Sequence, residues 1–325
     1  MTKAVRIHEH GGIDKLIYED VKVGKPGKGQ VRLRQTAIGL NYIDVYHRSG
    51  LYPLPVELPS AIGTEAAGVI EEIGEGVSEF KPGERVVYAP AVGAYAEARL
   101  IPAHRLVKIP DGIDDKTAAS IMLQGTTASY LLRRTYPVKK GETILLYAAA
   151  GGVGLLLSQW ANHIGARVIG IVGSEEKANL AKANGCAHTI NYARENVVER
   201  VTEITGGEKV PVVYDSVGKD TFMDSLDCLR PFGMMVSFGN ASGTVDSFSP
   251  NLLTAKGSLY LTRPGLIHHV AKRADLLDLA ESLFKVVLDG HVKPRLNQEY
   301  ALEDIRQAHA DLEARKTTGS TILLP

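Results

Sequence analysis

The sequence is poor in the residues that build cross-linked or membrane-embedded proteins. It has two cysteines among 325 residues, Cys186 and Cys228. Two cysteines are too few for a disulfide framework or for a four-cysteine zinc site. Long apolar runs are also missing, because no stretch approaches the ~18 consecutive apolar residues that a bilayer-spanning helix needs. We therefore expect neither a disulfide-rich scaffold nor a transmembrane helix.

The chain also lacks an excess of either charge. Its 37 Lys and Arg residues balance 37 Asp and Glu residues. A neutral chain is not generally attracted to nucleic acid or to an anionic membrane. The first residues, MTKAVRIHEHGG, show neither the apolar core of a signal peptide nor an Arg-rich amphipathic pattern. We expect a cytoplasmic protein with no membrane or nucleic-acid partner.

Two hydrophobic patterns divide the chain and predict two domains of an α/β protein. Up to about residue 110, short β-like runs such as QVRLRQTAIGL and AAGVIEEIG alternate with turn signals, which predicts a mostly antiparallel β domain. From TILLYA to GMMVSFG, apolar strands alternate with amphipathic helices, which predicts a doubly wound parallel sheet. After about residue 265 we expect one long helix (HHVAKRADLLDLAESLFKVVLDG), a shorter helix and a final strand.

The stretch YAAAGGVG, residues 147–154, joins a predicted strand to a predicted helix. Gly151 and Gly154 stand at the second and third glycine positions of the dinucleotide-binding pattern G-x-G-x-x-G, and Ala149 replaces the first. A helix N-terminus offers free N–H groups and partial positive charge to phosphates. We expect the backbone of Gly151, Gly152 and Val153 to contact a pyrophosphate. A tight strand-to-helix turn without a ligand is the alternative.

The end of the next predicted strand bears on the choice of cofactor. An NAD site usually has an Asp or Glu there, which binds the ribose 2′-hydroxyl. Here the strand ends at Gly173 and Ser174, and Lys177 follows. Because a hydroxyl and an ammonium attract the 2′-phosphate that a carboxylate repels, the sequence predicts NADPH, with Tyr192 as a further contact. The two glutamates after Ser174 argue against it, and Ser174 is equally suited to cap a helix.

Several longer motifs together resemble one family. They are GLNYIDVYHRSGLYP, IGTEAAGVI, LQGTTASYLL, GETILLYAAAGGVGLLLSQWA, GSEEK, INY and TRPG. Over essentially the whole chain the sequence resembles the medium-chain dehydrogenase/reductase superfamily, in its zeta-crystallin-like NADPH:quinone oxidoreductase branch. The resemblance implies a GroES-like catalytic domain of residues 1–122, completed by residues 265–325. It also implies a Rossmann NADPH-binding domain of residues 123–264.

Zinc ligands are missing from the motifs that carry this resemblance. The zinc-dependent alcohol dehydrogenases of the superfamily have a Cys in the first motif and a His in a Gly-His-Glu triplet. Here Asn41 occupies the first position, and the triplet reads Gly63-Thr64-Glu65. Amide and hydroxyl side chains are poor zinc ligands. We expect no metal, so an acceptor that takes hydride easily fits better than an alcohol.

The resemblance also implies roles for particular residues. Asn41 is expected where nicotinamide and substrate meet, with Tyr46 and Tyr52 beside the substrate and Asp44 orienting these tyrosines. Packing is the alternative for both tyrosines, and a helix cap or a surface acid is the alternative for Asp44. Arg263 is expected at the cofactor phosphates or the substrate. Further expected cofactor contacts are Thr127, Tyr130, Ser216, Phe238, Asn240 and Arg315.

Three functions remain open at this point. A metal-free and flavin-free NADPH-dependent quinone reductase fits best, because one dinucleotide site and no second cofactor motif is visible. A reductase of enone or alkenal double bonds and an NADPH-binding protein without turnover are the alternatives. The resemblance further implies a homodimer, joined near PFGMMVSFGNASG through a strand edge.

Overall fold

The computed structural model describes residues 1–325 and divides into two compact units. The first, which we call the catalytic unit, comprises residues 1–126, 270–288 and 294–325. The second, the nucleotide unit, comprises residues 127–269 and 289–293. The sequence placed these divisions at residues 122 and 264. In the structure, the nucleotide unit begins inside a helix, after residue 126, and its main segment ends at residue 269.

The N-terminal part of the catalytic unit is built mainly of strands. Its elements are β1 (Thr2–Ile7), β2 (Ile17–Val21), β3 (Gln30–Leu40), α1 (Tyr42–Ser49), β4 (Ser60–Ala61), β5 (Glu65–Ile73), β6 (Arg85–Tyr88), β7 (Ala98–Pro102), β8 (Val107–Lys108) and α2 (Asp115–Tyr130). The helix α2 begins where Asp114 accepts a hydrogen bond from the Thr117 N–H at 2.6 Å, as an N-terminal cap does. A π-helical turn, Leu131–Thr135, follows α2.

The nucleotide unit alternates strands and helices. Its elements are β9 (Thr143–Leu146), α3 (Gly152–Ile164), β10 (Arg167–Val172), α4 (Glu175–Ala183), β11 (Cys186–Asn191), α5 (Val197–Ile204), β12 (Val210–Asp215), α6 (Phe222–Asp227), β13 (Leu229–Ser237), α7 (Asn251–Ala255), β14 (Tyr260–Thr262) and α8 (Leu266–His269). All six strands are parallel, in the order β11-β10-β9-β12-β13-β14. This is the strand order of a Rossmann sheet, in which ligands bind beyond the carboxyl ends of the central strands.

The chain then completes the catalytic unit with α9 (Arg273–Leu288), β15 (Leu296–Ala301), α10 (Ile305–Glu313) and β16 (Ser320–Leu324). A seven-stranded sheet has the order β15-β16-β3-β5-β6-β8, with β7 paired to β3, and β2-β1-β4 form a second sheet. All pairs of the seven-stranded sheet except β15–β16 are antiparallel. The mostly antiparallel and the parallel sheet confirm the predicted fold class.

The single long helix predicted after residue 265 is wrong. The structure has two helices, α8 and α9, separated by residues 270–272. The carbonyl of His269 accepts a hydrogen bond from Arg134 at 3.2 Å, and its ring stacks on Tyr130 with a centroid distance of 4.2 Å. These contacts anchor the end of α8 before α9 begins, which the hydrophobic pattern does not reveal. None of the helices combines the length and the apolarity required to cross a membrane.

Candidate active site

The turn between β9 and α3 has the close backbone approach of a dinucleotide-binding turn. A Cβ atom on Gly154 would overlap the carbonyl oxygen of Ala148 and lie 2.8 Å from Ala149 Cα. Gly151 is the N-cap of α3, and its N–H donates to the Ala148 carbonyl at 2.9 Å. The first N–H groups of α3 have no partner within the helix, as at every helix start. The third glycine of the pattern is therefore required by packing, and the helix start can accept an anion.

The alanine at the first glycine position is accommodated by a glycine on the neighbouring strand. Ala149 is completely buried, and a Cβ on Gly170 of β10 would lie 2.7 Å from its methyl group. The left-handed conformation of the turn falls instead on Ala148, with φ of 52°. The space that the fingerprint usually leaves at its first glycine is thus provided at Gly170.

The end of β10 brings together the residues predicted to choose the cofactor. The Tyr192 hydroxyl approaches Gly173 so closely that a Cβ there would lie 2.6 Å from it. Ser174 caps α4, because its Oγ accepts a hydrogen bond from the Lys177 N–H at 3.2 Å. The capping alternative for Ser174 is therefore confirmed, and it leaves the hydroxyl hydrogen for another acceptor. Tyr192 is 50% exposed. Because Gly173 has no side chain, the Tyr192 phenol, the Ser174 hydroxyl and the first turn of α4 lie together at the end of β10. We call this group the polar corner.

The loops after β12 and β13 also lie against each other. The Phe238 N–H donates to the Asp215 carbonyl at 2.7 Å, and a Cβ on Gly239 would lie 2.8 Å from Ser216 Cα. Asp215, which the sequence did not single out, is completely buried. Its carboxylate accepts from the N–H groups of Val217 and Gly218 and from the Thr221 and Ser225 hydroxyls, at 2.7 to 3.0 Å. An Asp that ends an apolar strand before Gly is a turn signal that could have identified it.

The remaining predicted residues of the nucleotide unit lie at the end of α2 and after β14. Thr127 and Tyr130 are both buried, and Tyr130 stacks on His269. Arg263 donates to the carbonyl of Ser237 at 2.7 Å, which ties the ends of β13 and β14 together. Arg263 also lines a cavity of about 300 Å³ with Thr135, His268 and other residues.

In the catalytic unit, Asn41 lies at the start of α1 with both ends of its amide hydrogen-bonded. Its Nδ2 donates to Glu65 Oε2 at 2.7 Å, and its Oδ1 accepts from Gln124 Nε2 at 3.1 Å. Asn41 is 5% exposed and Glu65 is completely buried. An Asn amide has two N–H groups and two lone pairs on oxygen. The Asn41 oxygen also faces the Asp44 N–H in the capping box of α1, so one N–H remains for a ligand.

Asp44 does not have the partners that the sequence suggested. Its carboxylate accepts hydrogen bonds from the Asn41 N–H at 2.9 Å, the Thr64 hydroxyl at 3.0 Å and the Tyr95 hydroxyl at 2.9 Å. The side chain that it orients is Tyr95, on the loop before β7, and not Tyr46 or Tyr52. The reason is the helical geometry of α1, because a residue at the third position of a helix faces the N-cap. Burial raises the pKa of Asp44 to about 7, and the hydrogen bonds counteract this shift.

A buried polar chain continues from Tyr95. Its hydroxyl contacts His309 Nε2 at 3.0 Å, and His309 Nδ1 lies 3.0 Å from Arg48 Nη1. A guanidinium only donates, so Nδ1 accepts, Nε2 carries the proton, and Tyr95 is left to donate to Asp44. Burial, together with the charge of Arg48, lowers the pKa of His309 to about 3. Arg48 pairs with Glu313 at 2.6 Å, so the chain joins α1 to α10.

The tyrosines of the first motif form a ring cluster. Ring centroids lie 5.4 Å apart for Tyr42 and Tyr46 and 4.8 Å apart for Tyr46 and Tyr52. Tyr46 is 7% exposed, and Tyr52 is half-buried. The packing alternative is therefore real for these rings. Arg315 lies beyond α10 in a left-handed turn, with φ of 58°, and is exposed.

The two positions where zinc-dependent relatives have ligands belong to this hydrogen-bond network. Thr64 donates to Asp44, and Asn41 donates to Glu65. No group of three or more His, Cys, Asp or Glu side chains is arranged to bind a metal ion. The network therefore gives these two side chains a different use, the positioning of α1 against β5.

Comparisons with known proteins agree with the fold and the motifs. Residues 27–111 match the alcohol dehydrogenase GroES-like domain, and residues 152–276 match the zinc-binding dehydrogenase family. The chain is 50% identical to a quinone oxidoreductase of Pseudomonas aeruginosa and 48% identical to a 2-haloacrylate reductase of a Burkholderia species, over 100% of this chain and 99–100% of each relative.

A solved structure is equally similar. The quinone oxidoreductase of Escherichia coli, complexed with NADPH, superimposes with a TM-score of 0.97 at 46% identity and covers 99% of this chain and 100% of its own. The similarity spans the full length and therefore covers both units. The chain therefore belongs to the medium-chain dehydrogenase/reductase superfamily, in its quinone oxidoreductase branch.

Proposed function

We propose that this chain is an NADPH-dependent reductase of quinones. The observation that carries the proposal is the full-length similarity to the E. coli quinone oxidoreductase solved with NADPH. The local geometry supports it, because the β9–α3 turn requires glycine at position 154 and the end of β10 has no carboxylate at the NAD position. Bound NADPH would supply a hydride, and the chain would bind and orient the two reactants.

The nucleotide unit would bind the cofactor through backbone and polar side chains. The N–H groups of Gly151, Gly152 and Val153 would contact the pyrophosphate. The polar corner of Gly173, Ser174, Lys177 and Tyr192 would bind the 2′-phosphate through its hydroxyl, phenol and ammonium groups. The other proposed contacts are Thr127, Tyr130, Ser216, Phe238 and Asn240 of this unit, and Arg315 of the catalytic unit.

The catalytic unit would position the acceptor. The free N–H of Asn41 is suited to donate to a carbonyl oxygen. Tyr46 and Tyr52 would present flat rings and phenol groups to an aromatic acceptor. Asp44 would act through Asn41, since it binds the Asn41 N–H and not the tyrosines. Arg263, which belongs to the nucleotide unit, is proposed as a polar contact for the acceptor or a phosphate.

Reduction of an activated double bond is the second candidate. It is favoured by one observation, the 48% identity to the Burkholderia 2-haloacrylate reductase over the whole chain. A quinone and a haloacrylate both accept hydride at a carbon conjugated to a carbonyl group. The same Asn41 donor could serve either acceptor.

Turnover assays separate the candidates. We expect NADPH-dependent reduction of benzoquinones and naphthoquinones to exceed that of 2-chloroacrylate and simple enones. NADPH deuterated at the transferred position should slow single-turnover reduction, because hydride moves in that step. If every quinone is inert while NADPH still binds, the quinone proposal is wrong. A radical signal without an isotope effect would show single-electron transfer instead.

A further inference from the structure

Glu65 is a buried carboxylate that none of the proposed roles uses. It opens β5 opposite Gly39 of β3, where a Cβ on Gly39 would overlap the Glu65 carboxylate and the Ala119 carbonyl. Its Oε1 accepts a hydrogen bond from the Leu123 N–H of α2 at 2.5 Å, and its Oε2 accepts from Asn41 Nδ2. Only donors point at this carboxylate, so the arrangement is that of its ionised form.

These contacts set the direction, from donor to acceptor, of the hydrogen bonds that link Glu65, Asn41 and Gln124. We call these three residues the Glu65–Asn41–Gln124 chain and this direction its polarity. A carboxylate accepts but does not donate, so Asn41 must turn its Nδ2 toward Glu65 and its Oδ1 toward Gln124. Gln124 then donates through Nε2, and its Oε1 accepts from the Ser320 hydroxyl at 2.8 Å. All four side chains are buried. An amide is nearly symmetric in shape, so without Glu65 packing alone would not distinguish its two orientations.

We infer that Glu65 is a positioning residue for the proposed reduction, because the Glu65–Asn41–Gln124 chain decides which end of the Asn41 amide faces the reacting groups. This inference rests on the proposed function and deepens it. In the observed orientation, the unused N–H of Asn41 is on Nδ2, the atom bound to Glu65, and Oδ1 accepts from Gln124 and faces the Asp44 N–H. Reversal of the amide would exchange a donor for an acceptor at each place where a ligand can bind.

Glu65→Gln is the decisive variant because it reverses the polarity without changing the shape. The introduced glutamine side chain would accept from the Leu123 N–H and donate to Asn41 Oδ1. Asn41 Nδ2 would then donate to Gln124 Oε1, and Gln124 Nε2 to the Ser320 oxygen. Each hydrogen bond from Leu123 to Ser320 is replaced, and the Asp44 N–H keeps the Asn41 backbone carbonyl at 3.0 Å, so the fold should be retained. At a pH above 8, where wild-type Glu65 is ionised, we expect single-turnover hydride transfer to fall roughly 10- to 100-fold, as misplacement of a positioning group does, with a change of only a few degrees in thermal midpoint.

The double variant Glu65→Gln/Gln124→Glu separates positioning from charge. It returns a carboxylate to the chain, but at the end that fixes the reversed amide. Recovery of hydride transfer in this double variant would overturn the inference, because charge and not polarity would then matter. Asp115→Asn is the matched control, because Asp115 is a hydrogen-bonded carboxylate of the same unit. It accepts from Thr36 at 2.6 Å and Arg85 at 2.7 Å and has no bond to the Glu65–Asn41–Gln124 chain. We expect the control to lower the thermal midpoint and leave the hydride-transfer rate unchanged.

The pH profile gives a second readout. Burial raises the pKa of Glu65 to about 8, and the negative charge of Asp44 adds to this shift. Tyr88, on which the charges of Glu65 and Asp44 act, and Tyr95, which donates to Asp44, both have their pKa raised by burial and stay neutral. A protonated Glu65 must donate, so it favours the reversed amide that Glu65→Gln imposes. Wild-type hydride transfer should fall as pH drops through the Glu65 pKa, whereas Glu65→Gln should show the low rate without this step.

An activity-independent measurement keeps the inference testable if the proposed function is wrong. In protein labelled with ¹⁵N-asparagine, the Asn41 side-chain amide, identified by its loss in Asn41→Ala, should show one proton shifted strongly downfield by the Glu65 carboxylate. Glu65→Gln should remove this shift, and the double variant should restore a downfield proton through the carboxylate introduced at position 124. An unchanged Asn41 signal in Glu65→Gln would show that Glu65 does not set the amide, whatever the enzyme reduces.

Discussion

At the residue scale, the proposed cofactor site depends on glycines, which have no Cβ, and on the absence of a carboxylate at the end of β10. Gly154 and Gly170 leave space for the backbone of the turn and for the methyl of Ala149. Gly173 leaves space for the Tyr192 hydroxyl. These gaps place polar groups where a phosphate could lie, and the adjacent Lys177 would add the charge that distinguishes the two cofactors.

Replacement of Lys177 by alanine should reduce the preference for NADPH. One or two charge-assisted hydrogen bonds correspond to roughly 10- to 100-fold in affinity. We expect the dissociation constant for NADPH to rise by about this factor and that for NADH to stay nearly constant, measured by fluorescence titration. Lys182→Ala, in the last turn of the same helix, is the control and should change neither. Equal weakening of both cofactors would mean that Lys177 acts through the fold of α4.

At the element scale, each unit presents its functional groups at helix starts. The first turn of α3 follows β9 directly, and α1 follows β3 with Asn41 between them. The position of α1 is set by Asp44 at its first turn and by Arg48 in its last turn, which reach Tyr95 and α10 through buried hydrogen bonds. Buried polar chains of this kind specify one arrangement because each broken bond leaves an unpaired group.

The turn before α3 should not tolerate a methyl group at its third glycine. In Gly154→Ala the new Cβ would meet backbone atoms of Ala148 and Ala149, which cannot move aside as a side chain would. We expect a loss of roughly 1–3 kcal/mol in stability, as for other overpacked sites, and a larger loss of NADPH binding. Gly24→Ala, where no atom lies within 4 Å of the added Cβ, is the control. Normal NADPH affinity in Gly154→Ala would exclude this turn as the pyrophosphate site.

The buried His309 should make stability depend on pH. Its pKa is about 3 in the folded chain, against roughly 6.5 when unfolded. Its contribution is therefore fully present above about 6.5 and is lost as pH falls toward 3, because only the unfolded chain takes up the proton. His47, with a pKa lowered to about 4, acts in the same direction.

Asp44 and Glu65, whose pKa values are raised to about 7 and about 8, act oppositely, since stability falls as pH rises between their unfolded and folded values. A comparison of wild type with His309→Gln isolates the histidine. We expect the difference in thermal midpoint, wild type minus variant, to decrease from pH 7 to pH 5. His104→Gln, at an exposed position, should show no such trend. A constant difference would mean that folding does not lower the His309 pKa, and an increase would mean that His309 is protonated in the folded chain.

At the scale of the whole molecule, the sheet of the nucleotide unit ends in a short exposed edge. The edge strand β14 has three residues, and Tyr260 on it is 58% exposed. Phe232, in the neighbouring β13, is 72% exposed and has a left-handed backbone with φ of 62°. Unpaired strand edges with apolar side chains favour pairing with another chain. A second copy of this chain is the partner that the family resemblance implies.

Charged residues at this edge should therefore give a monomer. We expect wild type to sediment as a dimer and Phe232→Lys/Tyr260→Lys to sediment as a monomer. Ile17→Lys, which changes a 38% exposed side chain on β2, should remain dimeric. A monomeric wild type would contradict the dimer, and a dimeric double variant would place the interface elsewhere.

The sequence by itself determined the class of both sheets, the glycine turn, the cap of α4 and the family, because these depend on local periodicity and on residues adjacent in the chain. It overlooked β15, whose alternating LNQEYA is half polar, and it merged α8 with α9. Tertiary structure alone decided the partners of Asp44 and the use of Glu65. Apart from the bond between Asp44 and Asn41 at the start of α1, their hydrogen bonds join residues from 20 to 58 positions apart, through pairings of strands and helices that no local pattern encodes. Tertiary structure also showed why Ala149 is tolerated, since the space for its methyl comes from Gly170 on another strand.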